Sequence, residues 1–131
     1  MEPKEYLYSN YAYGVLGEWL AKNKQVSYDH LMDKMVFTLF NMRASYVALK
    51  SASSGDYLTD GHDLNGNIVP HWHFHSIAGA GAVVSDLNDM TAYVKSMMQK
   101  YLNKDAIVST LLTPQFHASR DTEQALGWLI T

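Results

Sequence analysis

Tyr8-Ser9-Asn10, followed at once by Tyr11-Ala12-Tyr13-Gly14-Val15-Leu16-Gly17, is the stretch from which the rest of the chain is read. A phenol and a carboxamide two residues apart point the same way only on an extended or turning backbone. On a helix, at about 100° per residue, they diverge by roughly 200°. The apolar periodicity begins just after Asn10, which places the pair on the loop that feeds a helix. There a Tyr hydroxyl can move a proton and an Asn amide can hold a substrate carbonyl or amide. Taken alone, the same residues also fit a half-buried aromatic at Tyr8 and a helix cap at Asn10.

Outward from that stretch, the spacing predicts a first helix over Tyr11–Lys22. Ala12, Leu16, Trp19 and Leu20 share its apolar face with Tyr13 beside them, and Asn23 takes a left-handed turn at its end. Ser27 caps a second helix, with Asp29 at the positive end of its dipole. Its buried stripe is Tyr28, Leu31, Met32, Met35, Val36 and Leu39, the methionines serving as adaptable core filling, and Asn41 supplies the following turn. Ser51 to Asp56 reads as a surface loop. Tyr57-Leu58-Thr59 and Ile68-Val69 form short strands around the turn Asp63-Leu64-Asn65-Gly66-Asn67. Ser85 caps a third helix, with Leu87, Met90, Tyr93, Val94, Met97 and Met98 inward and Asp86 and Asp89 in its first turn. A shorter helix runs from Asp105 to Leu112 and is stopped by Pro114. Gly127-Trp128-Leu129-Ile130 reads as the start of a strand with no partner in the chain. The expected fold is mainly α with a short β-hairpin, one partial domain over residues 1–131.

Composition removes several classes of function. The chain has 131 residues, 47 % of them apolar and 18 % charged, which suits a single globular core. A net charge of −3 offers no basic footprint, so nucleic acid is not expected as a partner. There is no cysteine, hence no disulfide framework, thiol nucleophile or Cys-based zinc site. The longest apolar run, Ile77 to Val84, is too short and Gly-rich to span a bilayer. Met1-Glu2-Pro3-Lys4-Glu5 lacks the apolar core of a signal peptide and says nothing about export.

Three further patterns invite a site. On a strand, His71, His73 and His75 would line one face, a possible zinc arrangement, with Trp72 and Phe74 packing on the other. No fourth ligand is evident nearby, so no metal is expected there. Asp63 to Asn67 has the flavour of a calcium loop. With Gly66 as the turn glycine, however, the first and last ligand positions fall on Gly61 and Trp72, which supply no side-chain oxygen. Ala78-Gly79-Ala80-Gly81 has no Gly-Lys-Ser/Thr sequel, which excludes a phosphate loop. Its small residues suit close backbone packing or the wall of a cleft.

The order of these pieces is what identifies the chain. Tyr8-Ser9-Asn10 precedes Gly14-Val15-Leu16-Gly17, then Ser27-Tyr28 and Met35 to Leu39. Ala78-Gly79-Ala80-Gly81 then runs into Val84-Ser85-Asp86-Leu87-Asn88-Asp89-Met90, and Leu112-Thr113-Pro114-Gln115 and Leu126-Gly127-Trp128 close the chain. Over nearly its whole length this resembles the middle, helical region of the serine β-lactamase and penicillin-binding-protein family, in its class C and esterase-like branch. The resemblance implies a two-domain serine hydrolase acting through an acyl-enzyme on β-lactams, peptidoglycan peptides or esters, without a cofactor or metal. It implies that Tyr8 shuttles a proton, that Asn10 contacts the substrate amide, and that Gly79 and Gly81 lie beside the active site. It also implies work outside the cytoplasm. Class C enzymes tend to carry a tyrosine near Gly81, and this chain departs from them there.

What the chain lacks is equally informative. Such an enzyme needs a nucleophilic Ser with a Lys three residues later, and a Lys/His-Thr/Ser-Gly strand. None of the eleven serines has a lysine at the third place, and no such triplet occurs. In the family the first motif lies upstream of the Tyr motif and the third downstream of the Gly-Trp strand. The expectation is therefore a fragment, inactive by itself, that self-associates through apolar surface meant for its missing domain, including Trp128, Leu129 and Ile130. The alternative is a non-enzymatic helical binding domain or a degenerate paralogue. Any phenolate role for Tyr8 calls for cationic neighbours, since a tyrosine ordinarily titrates near pH 10, and no lysine here is an evident candidate.

Overall fold

The computed structural model describes residues 6–48 and 58–131, with the side chain of His75 left aside. The Ser51–Asp56 loop and Tyr57 therefore lie outside the described residues. The chain divides into two compact units, Ser9–Ala92 and Tyr93–Thr131 with the N-terminal segment up to Tyr8.

In the Ser9–Ala92 unit, α1 spans Asn10–Lys24 and α2 spans Tyr28–Met32, continued by a π-helical turn over Asp33–Phe37. Two short pairs of strands follow: β1 (Tyr46–Val47) with β4 (Val83–Val84), and β2 (Gly61–His62) with β3 (Ile68–Val69), both antiparallel. Between β3 and β4, residues His75–Ala80 form two 3₁₀ turns kinked at Ile77. α3 begins at Leu87 and runs to Leu102.

The organising contact is α1 against the 3₁₀ turns, and small residues make it. Gly14, Gly17 and Ala21 are the buried residues of α1, spaced three and four apart on one face. A Cβ on Gly14 would stand 2.5 Å from the Cβ of Ile77, and one on Gly79 would stand 2.6 Å from the Tyr13 carbonyl oxygen. The two backbones approach so closely that nothing larger fits. The expected face of Leu16, Trp19, Leu20 and Tyr13 is instead exposed. The period was right and the phase was wrong: backbone-to-backbone approach selected the small stripe over the large one.

Helix ends differ from expectation in equally physical ways. The Asn23 carboxamide donates to the Trp19 carbonyl at 2.9 Å, which keeps it in the helix. Gln25 takes the left-handed turn instead, at φ 57, and its successor Val26 donates to Ala21 O at 3.1 Å. Asn41 does adopt the left-handed conformation (φ 57), with Met42 N–H closing back on Phe37 O at 2.8 Å. The π turn shifts the second helical stripe, so Phe37 and Met42 are buried while Met35 and Leu39 are exposed. The hairpin strand starts at Gly61, after Leu58 and Thr59. Its turn is held by Asp63, whose carboxylate accepts from Asn65 N, Asn67 N and Asn67 Nδ2 at 2.8–2.9 Å.

In the other unit, α4 (Ala106–Leu112) is capped by Asp105, whose Oδ1 accepts from Ile107 N at 3.0 Å and Val108 N at 3.1 Å. Strands β5 (Phe116–Ser119), β6 (Thr122–Gln124) and β7 (Leu129–Ile130) form one antiparallel sheet in that order. The Gly127–Ile130 segment thus has a partner within the chain: Leu129 pairs with Gln124 and Ile130 with Glu123. Met97, Val108 and Ala125 are buried here, and Tyr93 stacks on Trp128 at 6.5 Å. Among the described residues, no helix is long and apolar enough to cross a membrane.

Candidate functional site

Ser9 decides how the Tyr-Ser-Asn stretch is presented. Its backbone is extended (φ −146, ψ 106) and its hydroxyl accepts the Ala12 N–H at 3.1 Å. Its carbonyl receives the Tyr13 N–H at 3.3 Å. Ser9 is therefore the cap of α1, and the expected alternative of a cap at Asn10 does not hold. Asn10 is the first helical residue and is exposed. Tyr8 sits on the extended segment ahead of the cap, 75 % exposed. Tyr8 belongs to the unit containing Tyr93–Thr131, and Asn10 to the unit Ser9–Ala92. The first turn of α1 carries no acidic side chain, so no carboxylate of its own neutralises the positive end of this helix.

Gly79 is brought to α1, under the Tyr13 carbonyl and within 3.3 Å of the Gly17 Cα from where its Cβ would be. That packing accounts for its size. It also borders an open apolar groove of 340 Å³ whose walls include Leu16, Leu20, Leu31 and Met35. Gly81 has different company: a Cβ there would lie 3.1 Å from the Phe74 ring. The two glycines thus serve two separate close approaches. Tyr28, packed on Gly17, has its phenol pKa raised by burial and by the nearby Glu18 carboxylate, which keeps it protonated.

Among the described residues, no group of three or more His, Asp or Glu gathers to hold a metal. The Asp63 carboxylate, the first candidate oxygen of the hairpin turn, is engaged by its own turn. The Asn67 side chain foremost holds its pKa below the usual value.

The polar cluster that sequence reasoning missed lies at the start of α3. Asp86, not Ser85, caps that helix, its Oδ1 accepting the Asp89 N–H at 2.8 Å. Ser85 instead shares a 2.7 Å hydrogen bond with Ser45. Asp89 is only 6 % exposed and accepts from Arg43 N (3.1 Å), Ala44 N (2.8 Å) and Ser45 Oγ (2.7 Å). Burial pushes its pKa up, but these hydrogen bonds outweigh burial and hold the carboxyl below 3.8. Its partners are more than forty residues away in sequence, which is why periodicity did not reveal it.

Comparison with known proteins places this geometry. No curated protein sequence matches the chain. Among solved structures, a D-stereospecific amidohydrolase from Streptomyces sp. matches with TM-score 0.77 at 16 % identity, over 96 % of this chain and 39 % of that one. A penicillin-binding protein from Bacillus halodurans matches with TM-score 0.72 at 21 % identity, over 96 % of this chain and 40 % of that one. An octameric penicillin-binding-protein homologue from Pyrococcus abyssi matches with TM-score 0.75 at 21 % identity, over 100 % of this chain and 31 % of that one. The chain thus spans two fifths or less of the length of these proteins, and they share its fold. The Beta-lactamase family profile matches residues 3–131. From its capped Tyr-Ser-Asn turn to its terminal sheet, the chain belongs to the Beta-lactamase family.

Proposed function

We propose that this chain is the helical portion of a two-domain serine hydrolase that acylates its serine with a β-lactam, a peptidoglycan peptide or an ester. In this reading Tyr8 takes part in proton transfer, Asn10 holds the substrate amide, and Gly79 and Gly81 keep the adjoining wall low. The observation that carries it is the division of labour at α1. Ser9 caps the helix, so neither Tyr8 nor Asn10 is needed for that job, and both side chains are exposed. The family match over residues 3–131 supports the same reading. The neighbours include a D-alanine carboxypeptidase from Burkholderia cenocepacia and a class C β-lactamase in complex with cefoxitin, which fit the substrate classes named.

The chain alone is inactive on this reading, because none of its serines has the lysine one helical turn on that would activate it. On this reading the terminal strand, with Leu129 exposed and Trp128 and Ile130 half-buried, offers apolar surface to a missing segment, and in its absence to self-association. Sequencing the flanking coding region is the direct test. An upstream Ser-x-x-Lys with a downstream Lys/His-Thr/Ser-Gly supports the enzyme. Uninterrupted coding sequence on both sides with neither motif would leave a non-enzymatic binding domain.

A further inference from the structure

The hairpin between β2 and β3 carries chemistry that the hydrolase reading does not use. Of the asparagines in the chain, Asn65 alone is followed by a glycine. Both residues are exposed at the tip of the turn. A Cβ on Gly66 would meet nothing within 4 Å, so the space beside this backbone is open. Glycine has no side chain to screen its own nitrogen, which leaves that nitrogen able to reach the preceding carboxamide carbon.

Such a reaction needs only the turn itself and water. The Gly66 nitrogen gives up its proton and forms a bond to Asn65 Cγ, and the Cγ–Nδ2 bond breaks. Nδ2 takes up a proton and leaves as ammonia, and a five-membered succinimide remains. Water then adds to one of the two ring carbonyls. Breaking the ring bond at Cγ leaves an aspartate in place of Asn65. Breaking it at the main-chain carbonyl leaves an isoaspartate, whose backbone runs through Cγ and is longer by a carbon. Either product adds a negative charge to a chain of net charge −3.

The folded turn opposes the first step. The Gly66 N–H donates to the Asp63 carbonyl at 3.0 Å. On either side of it, the Asp63 carboxylate accepts from Asn65 N at 2.8 Å and from Asn67 N and Asn67 Nδ2 at 2.9 Å. To attack Cγ, the Gly66 nitrogen must leave its hydrogen bond and lose its proton beside a carboxylate whose charge disfavours the developing amide anion. We propose that Asn65 is a site of spontaneous deamidation, and that Asp63 is the positioning residue whose turn holds the reaction back in the folded chain. No residue of the acyl-transfer reading takes part.

The test is incubation of the 131-residue chain in mildly alkaline buffer, with the mass gain of an amide-to-acid exchange located by peptide mapping. Asn65 should be the first asparagine to convert, slowly in the native chain and about tenfold faster once urea unfolds it. Folded Asp63→Ala should convert at Asn65 about tenfold faster than the unaltered chain. Asp63→Asn, which keeps an oxygen to accept the turn N–H groups, should fall between them. Conversion at Asn103, outside the hairpin, should be alike in the three folded proteins, which separates loss of the turn from general destabilisation. If Asp63→Ala does not fold, the comparison of native and urea-unfolded chain decides alone. Earlier conversion at another asparagine, equal rates in native and unfolded chain, or an unchanged rate in a folded Asp63→Ala would overturn the proposal.

Discussion

Two helices of the Ser9–Ala92 unit begin with similar polar residues and use them in opposite ways. At α1, Ser9 alone caps the helix, and its neighbours Tyr8 and Asn10 are exposed. At α3, Asp86 caps the helix while Ser85 and Asp89 are drawn into hydrogen bonds with Arg43, Ala44 and Ser45. The difference lies in what comes to meet each helix start. A distant loop covers the first turn of α3 and consumes its polar groups as structure. At the start of α1, Tyr8 and Asn10 are exposed, and the cap is made by Ser9. A buried, satisfied carboxylate is a fold determinant, whereas the exposed Tyr8 phenol is the group proposed for proton transfer.

The comparison breaks first if Tyr8 is not chemical. In a longer polypeptide that supplies the nucleophile, Tyr8→Phe should lower the maximal rate by about 10²–10⁴-fold, the usual worth of a positioned proton-transfer group. Its far-UV circular dichroism should be unchanged. Asn10→Ala should impair amide substrates more than simple esters, measured as the ratio of kcat/KM values. An equal loss on both would remove Asn10 from the amide contact.

Next in size is the seam that holds α1 itself. Gly14→Ala puts a methyl 2.5 Å from the Ile77 Cβ and 2.9 Å from its Cα, so backbone must move. The expected loss is about 1–3 kcal/mol in chemical denaturation. A neutral result would mean that α1 and the 3₁₀ turns are less closely apposed than the glycine contacts require.

The structural character of the α3 start is sharpened by pH. The Asp89 pKa lies below 3.8 in the folded chain, so the carboxylate binds its proton less readily there than in the unfolded chain. Its contribution is present above 3.8 and is lost as pH falls through the lower, folded-state value. Asp89→Asn should therefore lower the Tm at neutral pH, and the gap to the unaltered chain should narrow in acid. A gap that persists undiminished in acid would assign the effect to packing rather than charge. The smallest effect is expected at Ser9→Ala, about 1 kcal/mol from the lost cap.

Much of this was legible in the amino-acid sequence because it is local. Asp105 before an apolar run and Pro114 after it bounded α4 correctly. Asn41 supplies the turn expected of it, in a left-handed conformation that the structure adds, and the turn around Gly66 follows from turn chemistry, with its first strand at Gly61–His62. The errors at α1 and at the start of α3 share one cause, which is a partner far away in the chain. Gly14 and Gly17 outrank Leu16 and Leu20 because the backbone of Ile77 to Gly79 lies against them. Asp86 displaces Ser85 as a cap because Ser45, forty residues earlier, engages the Ser85 hydroxyl. Leu129 found Gln124 across a turn, although the strand had seemed to lack a partner. At the candidate site, the Tyr8 and Asn10 assignment rested on motif order, while the cap at Ser9 emerged only from hydrogen-bond geometry.

The central claim is that the chain carries assisting groups of a serine hydrolase and no nucleophile of its own. Intact-mass measurement of the 131-residue chain after incubation with a β-lactam and with a fluorophosphonate tests it most directly. The unmodified mass in both incubations is the predicted result. A stoichiometric adduct on either would mean that one of the eleven serines is activated without a lysine one turn on, and would contradict the account.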